Sequence, residues 1–145
     1  MSPEKSKILT DKYPKIFPLP KEEGGESLDY YFGFECGDGW FDLIDLLCKN
    51  IQHHVEWAIS TPEDKREDLQ VVAVQIKEKF STLRFYYDGG DEYLRGMIQM
   101  AEAMSSKICE NCGDKATVKT KGWIRNLCQP CHIRGNFKAQ GFELK

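Results

Sequence analysis

Four cysteines carry the strongest chemical signal in the sequence. Cys109 and Cys112 form one C-x-x-C pair, Cys128 and Cys131 another, and fifteen residues separate the pairs. Two intervening residues let a tight turn aim both sulfurs at one point, and two such turns supply four thiolates, the closed tetrahedral shell of a structural zinc site. A catalytic zinc keeps one position for water, and this donor set leaves none. The other two cysteines, Cys36 and Cys48, stand alone, so the pattern favours metal over a disulfide framework in a reducing compartment. Unbound structural thiols or redox-active pairs are the competing readings. His132 could replace Cys131 as a ligand, although a histidine beside a ligand is more often a surface neighbour.

A second group combines cations with aromatic rings. Lys77, Lys79, Arg84 and Tyr86, with Phe80 at a turn, would make a surface that pairs a phosphate and stacks a base; a solvated sheet face is the plain alternative. Lys119, Lys121, Trp123 and Arg125 repeat the combination between the cysteine pairs, where fingers present such groups to nucleic acid. Trp123 packing the finger onto the body is the simpler expectation for that residue. Gly37-Asp38-Gly39-Trp40 leads into a helix, a place where backbone N–H groups hold anions. Asp38 would oppose an anion there, so its expected role is the helix cap.

The remaining candidates read as structure. His53 and His54 are adjacent on a helix and cannot face one site together, and His54 lies nearer the apolar stripe. Cys48 falls on the buried side, where a thiol is inert, while Cys36 in a glycine turn could be reactive. No adequate set of acid, base and nucleophile is present, so a non-enzymatic protein is expected.

These residues must be positioned by a small number of elements. Residues 1–27 contain Pro3, Pro14, Pro18, Pro20 and the run KEEGGES, which predicts an extended arm wrapped on the body. Leu28 to Glu35 alternates as a strand. Trp40, Leu43, Ile44, Leu47, Ile51, Val55 and Ala58 recur at helical spacing and predict a helix over Trp40 to Ile59. Leu69 to Lys79 and Thr82 to Asp88 predict an antiparallel hairpin, with Val72, Val74 and Ile76 facing the core beside Leu83, Phe85 and Tyr87. A second helix runs to Lys107 on Leu94, Met97, Ile98, Ala101 and Met104, and Gly96 inside it predicts a close packing contact. Between the cysteine pairs, Lys115 to Thr120 and Trp123 to Leu127 read as a hairpin, and His132 to Phe137 as a short helix. The fold class is therefore α+β: two helices packed on a small antiparallel sheet, with a C-terminal four-cysteine module of treble-clef or zinc-ribbon type. The divisions are an arm at 1–27, a body at 28–107 and a zinc-binding module at 108–145.

The chain has 145 residues, enough for one ordinary domain with a small appended module. Its apolar stretches are short and broken by charge, and the start lacks the pattern of an export signal, so a cytoplasmic protein without membrane contact is expected. From Lys107 onward there are eight Lys/Arg against three Asp/Glu, leaving twelve against twenty before it; the net charge of −3 thus divides into +5 and −8. That asymmetry suits a phosphate-bearing ligand at the basic end, or docking of the two parts on each other.

The strings GDGWFDLIDLLC, VQIKEKFSTLRFYY, MAEAMSSKICENCG and GWIRNLC, in that order, resemble an uncharacterised family of small zinc-finger-bearing proteins of tailed phages and prophages. The resemblance covers Cys36 to Cys131. It implies a phage accessory protein acting in the host bacterial cytoplasm, and on the matching positions it singles out Lys79, Phe80, Leu83, Arg84, Phe85, Trp123 and Arg125. The expected function is binding of a nucleotide-type ligand, with counter-defence by sequestering a signalling nucleotide as its sharpest version. Lys77, Lys79 and Arg84 would neutralise phosphate, and Phe80, Tyr86 or Trp123 would stack on a base. The alternatives are a zinc-finger regulator of DNA or RNA, and an inhibitor gripping a host defence protein through the Leu46 and Trp57 side of the first helix. A homo-oligomer is compatible with each.

Overall fold

The structure, a computed structural model, describes residues 1–18, 33–61 and 68–139, without the side chains of 136–139. Its elements in chain order are α1 (Pro3–Lys12), β1 (Phe34–Glu35), α2 (Phe41–Ser60), β2 (Val72–Lys79), β3 (Thr82–Asp88), α3 (Glu92–Ser105), β4 (Val118–Lys119), β5 (Asn126–Leu127) and α4 (Gln129–Ala139), with a 3-10 turn at Asp38–Trp40 before α2. The mixed helix and sheet architecture agrees with the sequence. Among the described residues no helix is long and apolar enough to cross a membrane.

The first departure is the arm, whose opening is helical. Ser2 accepts from the Lys5 N–H as N-cap, and Pro3 takes the first turn, where its missing N–H is no loss. Leu9, Tyr13, Ile16 and Phe17 are all buried, so this segment closes the core. Its attachment is polar as well: Ser2 N donates to Asp38 Oδ1 at 2.6 Å, and Ala73 N to Ile16 O at 2.8 Å. Pro14 and Pro18 lie after the helix has ended at Lys12. The run KEEGGES and the Leu28 to Phe32 part of the strand expected over Leu28 to Glu35 lie outside the described residues, as does most of the connection after Thr61.

The main sheet has the order β1-β2-β3. β2 and β3 form the expected antiparallel hairpin, but β1 lies parallel to β2, with Phe34 beside Ile76 and Glu35 beside Lys77. The sheet is therefore mixed. A bulge between Ala73 and Gln75 shifts the alternation of β2, so Val71, Ala73 and Ile76 are buried while Val72 and Val74 are only partly so. One extra residue reverses which side chains face the core. Sequence alternation cannot reveal where such a residue is inserted.

Helices α2 and α3 join the sheet in one core containing Trp40, Ile44, Ile51, Val55, Ile76, Leu83, Leu94 and Ile98. Asp91 caps α3 by accepting from Leu94 N, and its second oxygen meets His54 Nε2 at 2.9 Å. His54 also stacks on Tyr93, a boundary histidine tying one helix to the start of the next. The outer edge of β3 is covered from α3: Leu83 N donates to Ser105 Oγ (2.8 Å) and Phe85 N to Glu102 Oε2 (3.0 Å). Unpaired edge N–H groups invite association, and these two are occupied. Gly96 makes no close contact, since an added Cβ would meet nothing within 4 Å.

Candidate metal centre and adjoining grooves

Each of the four paired cysteines arrives on a short local structure. Cys109 begins a knuckle in which Cys109 N donates to Asp114 O (2.7 Å) and Gly113 N to Cys109 O (2.9 Å), turning Cys112 back beside Cys109. The β4–β5 hairpin returns the chain, pairing Val118 with Leu127 and Lys119 with Asn126. Cys128 directly precedes α4, and Cys131 stands in its first turn; His132 N donates to Cys128 O at 3.0 Å. Knuckle, hairpin and helix follow in the order read from the sequence. Both finger strands are shorter than expected and α4 is longer.

The four sulfurs lie within 4.8 Å of one another, and those of Cys112 and Cys128 within 3.5 Å. Tetrahedral coordination at about 2.3 Å would place sulfurs roughly 3.8 Å apart. The arrangement therefore fits a four-coordinate metal ion, with Cys112 the exposed ligand and the other three buried. His132 is outside the set. Burial opposes ionisation of Cys109, but backbone hydrogen bonds from Cys128, Cys112 and Asn111 outweigh it and bring the thiol down to about 7. Cys112 keeps a thiolate-favouring backbone bond from Asp114, yet desolvation and the neighbouring sulfurs of Cys128, Cys131 and Cys109 push it up to about 12. Cys131 is raised by burial and by Cys128. One thiolate is thus favoured and further ones repel, a balance that a bound cation reverses. Arg134 Nη2 lies 3.5 Å from Cys131 Sγ and adds positive charge.

The finger is seated on the body by backbone contact. Gly39 N donates to Glu110 O (2.8 Å), Gly37 N to Glu110 Oε1 (3.0 Å) and the buried Trp40 Nε1 to Ile108 O (3.1 Å). A Cβ at Gly37 would fall 2.2 Å from Glu110 O, and one at Gly39 2.0 Å from Cys109 O. The GDGW segment is therefore the saddle on which the first knuckle sits. It does hold an anion, the carboxylate of Glu110, whereas Asp38 makes no helix cap and instead accepts from Ser2 N. Sequence reasoning missed Glu110, which meets Gly37 across 73 residues; no local signal marks it.

Arg125, expected beside a ligand, lines neither of the two grooves that open at the β2–β3 turn. Its Nε approaches Glu110 Oε2 at 3.3 Å and its Nη2 donates to Asn111 Oδ1 at 2.6 Å, so it braces the knuckle. Asn126, also missed, donates from Nδ2 to Ser81 O (3.0 Å) and Ser81 Oγ (3.2 Å), fastening the finger to the β2–β3 turn. That turn is unusual: Phe80 and Ser81 have φ of 53° and 67°, the left-handed pair of a type I′ turn that favours Asn and Gly. Glu78 Oε1 supports it by accepting from Ser81 N.

The other predicted residues gather around this turn. Lys77, Lys79, Phe80 and Trp123 line a groove of about 470 Å3 between hairpin and finger tip. Lys79, Phe80, Arg84 and Tyr86 line a second, of about 560 Å3, along β3 and α3. Trp123 is 77% exposed, so it walls the groove rather than packing the finger down. Lys77 stands directly opposite Arg84, like charges that disfavour the pairing unless an anion joins them, with Glu35 the neighbour on the other side of Lys77. Cys36 and Cys48 are buried, and desolvation pushes both thiols up, Cys36 to about 12, which disfavours the thiolate in each.

Comparison of the chain with family models, with curated proteins and with solved structures finds no match.

Proposed function

We propose that this protein binds one structural Zn2+ through Cys109, Cys112, Cys128 and Cys131, and a nucleotide-type ligand in the groove that the zinc finger completes. An all-thiolate tetrahedral set suits zinc, which gains no redox chemistry there and supplies folding energy alone. The observation that carries the ligand reading is the convergence of Lys77, Lys79 and Phe80 from the hairpin with Trp123 from the finger on one groove. Cations neutralise phosphate, and the exposed rings offer faces to a base. Lys79 Nζ already lies 5.6 Å from the Phe80 ring centre, where a phosphate on the lysine would set a base beside the ring. The reading is non-enzymatic, and capture of a signalling nucleotide in the bacterial cytoplasm is the role that the phage resemblance adds to it.

Isothermal titration of the zinc-loaded protein with a nucleotide panel tests this. Saturable binding weakened at least tenfold by Lys79→Ala and by Trp123→Ala is expected. Binding of long DNA or RNA with a steep salt dependence, and of no small nucleotide, would replace it with the nucleic-acid regulator.

A second reading rests on the helices. Leu46, Trp57, Met100 and Met104 are all at least half exposed, and Leu46, Met100 and Met104 line an apolar groove between α2 and α3. Methionine-rich grooves accept partner helices, as an inhibitor of a host defence enzyme requires. Leu46→Asp would then abolish partner binding and leave nucleotide titrations unchanged.

A further inference from the structure

Two grooves, not one, open from the β2–β3 turn, and they share Lys79 and Phe80. Each has the volume of a site for one small molecule, roughly 300–1,000 Å3. On the finger side the exposed ring is Trp123 and the added cation Lys77; on the α3 side the exposed ring is Tyr86, 42% exposed, and the added cations are Arg84 and Arg95. The composition of one groove thus repeats in the other.

The acids that line the grooves are engaged by backbone N–H groups rather than by these cations. Glu78 is held by Ser81 N and Glu102 by Phe85 N, and Lys77, Lys79 and Arg84 make no ion pair among the described residues. Lys79 stands where the grooves meet, with Lys77 on one side and Arg84 on the other. Of the exposed rings, Tyr86 lines only the groove on the α3 side and Trp123 only the groove on the finger side.

Resting on the nucleotide reading above, we infer that the two grooves form one bipartite site for a dinucleotide. Its two bases are splayed apart, one against Trp123 and one against Tyr86, and its phosphates lie over Lys77, Lys79 and Arg84. Phe80 is the wedge that keeps the bases unstacked, which is why an exposed phenylalanine occupies a strained turn position. The site binds without making or breaking a covalent bond.

The test is a titration of the zinc-loaded protein with 5′-phosphorylated linear dinucleotides, 3′,5′-cyclic dinucleotides, the matching mononucleotides and a ten-nucleotide single strand. The expected result is at least one dinucleotide bound tenfold or more tightly than either of its mononucleotides. Trp123→Ala and Tyr86→Ala, both at exposed positions, should each remove that advantage. A mononucleotide bound as tightly as every dinucleotide would overturn the bipartite site and leave the nucleotide reading standing. Affinity that keeps rising to the ten-nucleotide strand would also overturn it, in favour of a polynucleotide track. No binding of any of these probes would overturn the inference and the reading beneath it together.

Discussion

At φ 53° the Phe80 side chain crowds its own backbone, and 73% of its surface is exposed, so burial offers little to offset the strain. A left-handed conformation costs an ordinary residue about 1–2 kcal/mol, a cost that asparagine largely escapes. Phe80→Asn should therefore raise stability by about 0.5–1 kcal/mol in urea unfolding while weakening nucleotide binding at least tenfold. Loss of stability with unchanged binding would remove Phe80 from the site. Trp123, Lys77 and Lys79 were visible in the sequence as types suited to phosphate and base, because chemistry resides in side chains and needs no fold to be read. Glu110 and Asn126 were not, because their roles exist only when distant backbone groups arrive beside them.

Two glycines separate the demands made on neighbouring elements. Gly39→Ala would drive a methyl group into the Cys109 carbonyl and should cost about 3 kcal/mol, whereas Gly96→Ala fills open space on α3 and should stabilise by about 1 kcal/mol in the same denaturation assay. α1 makes a pH-dependent attachment. Desolvation of Asp45 is outweighed by Lys12 Nζ at 2.8 Å and Tyr13 Oη at 2.6 Å, which hold its carboxyl below the usual range. A carboxyl lowered in the folded state stabilises above its unfolded pKa, and that contribution vanishes as pH falls through the lowered value. Burial, then Asp45, pushes Tyr13 up to about 12, so its contribution is complete below about 10 and is lost as pH rises toward 12. Protection of the Leu9 amide relative to its intrinsic exchange rate should thus fall at both extremes, and Asp45→Asn should abolish the acid limb. The helices α2 and α3, the hairpin and the finger were legible because each carries a full period of apolar or cysteine spacing. α1 was obscured by the prolines around it, although Ser2-Pro3 is itself a start signal, and the β2 bulge and the parallel β1 pairing follow from tertiary contact that no local pattern encodes.

Across the whole molecule, the four-cysteine finger and the body depend on each other through few contacts of high consequence. Glu110 seats the knuckle on Gly37 and Gly39, and Asn126 pins the turn that carries Phe80. Zinc binding by such modules is worth roughly 10–16 kcal/mol at neutral pH, enough to decide whether a segment this small folds. In the proposed reading, metal loading builds one wall of the groove between hairpin and finger and steadies the other. The decisive measurement is a native mass spectrum of the protein purified from bacteria grown without added metal. One zinc ion per chain, lost on substitution of Cys128→Ser, is the predicted result. A folded chain that carries no metal would contradict the account at its base.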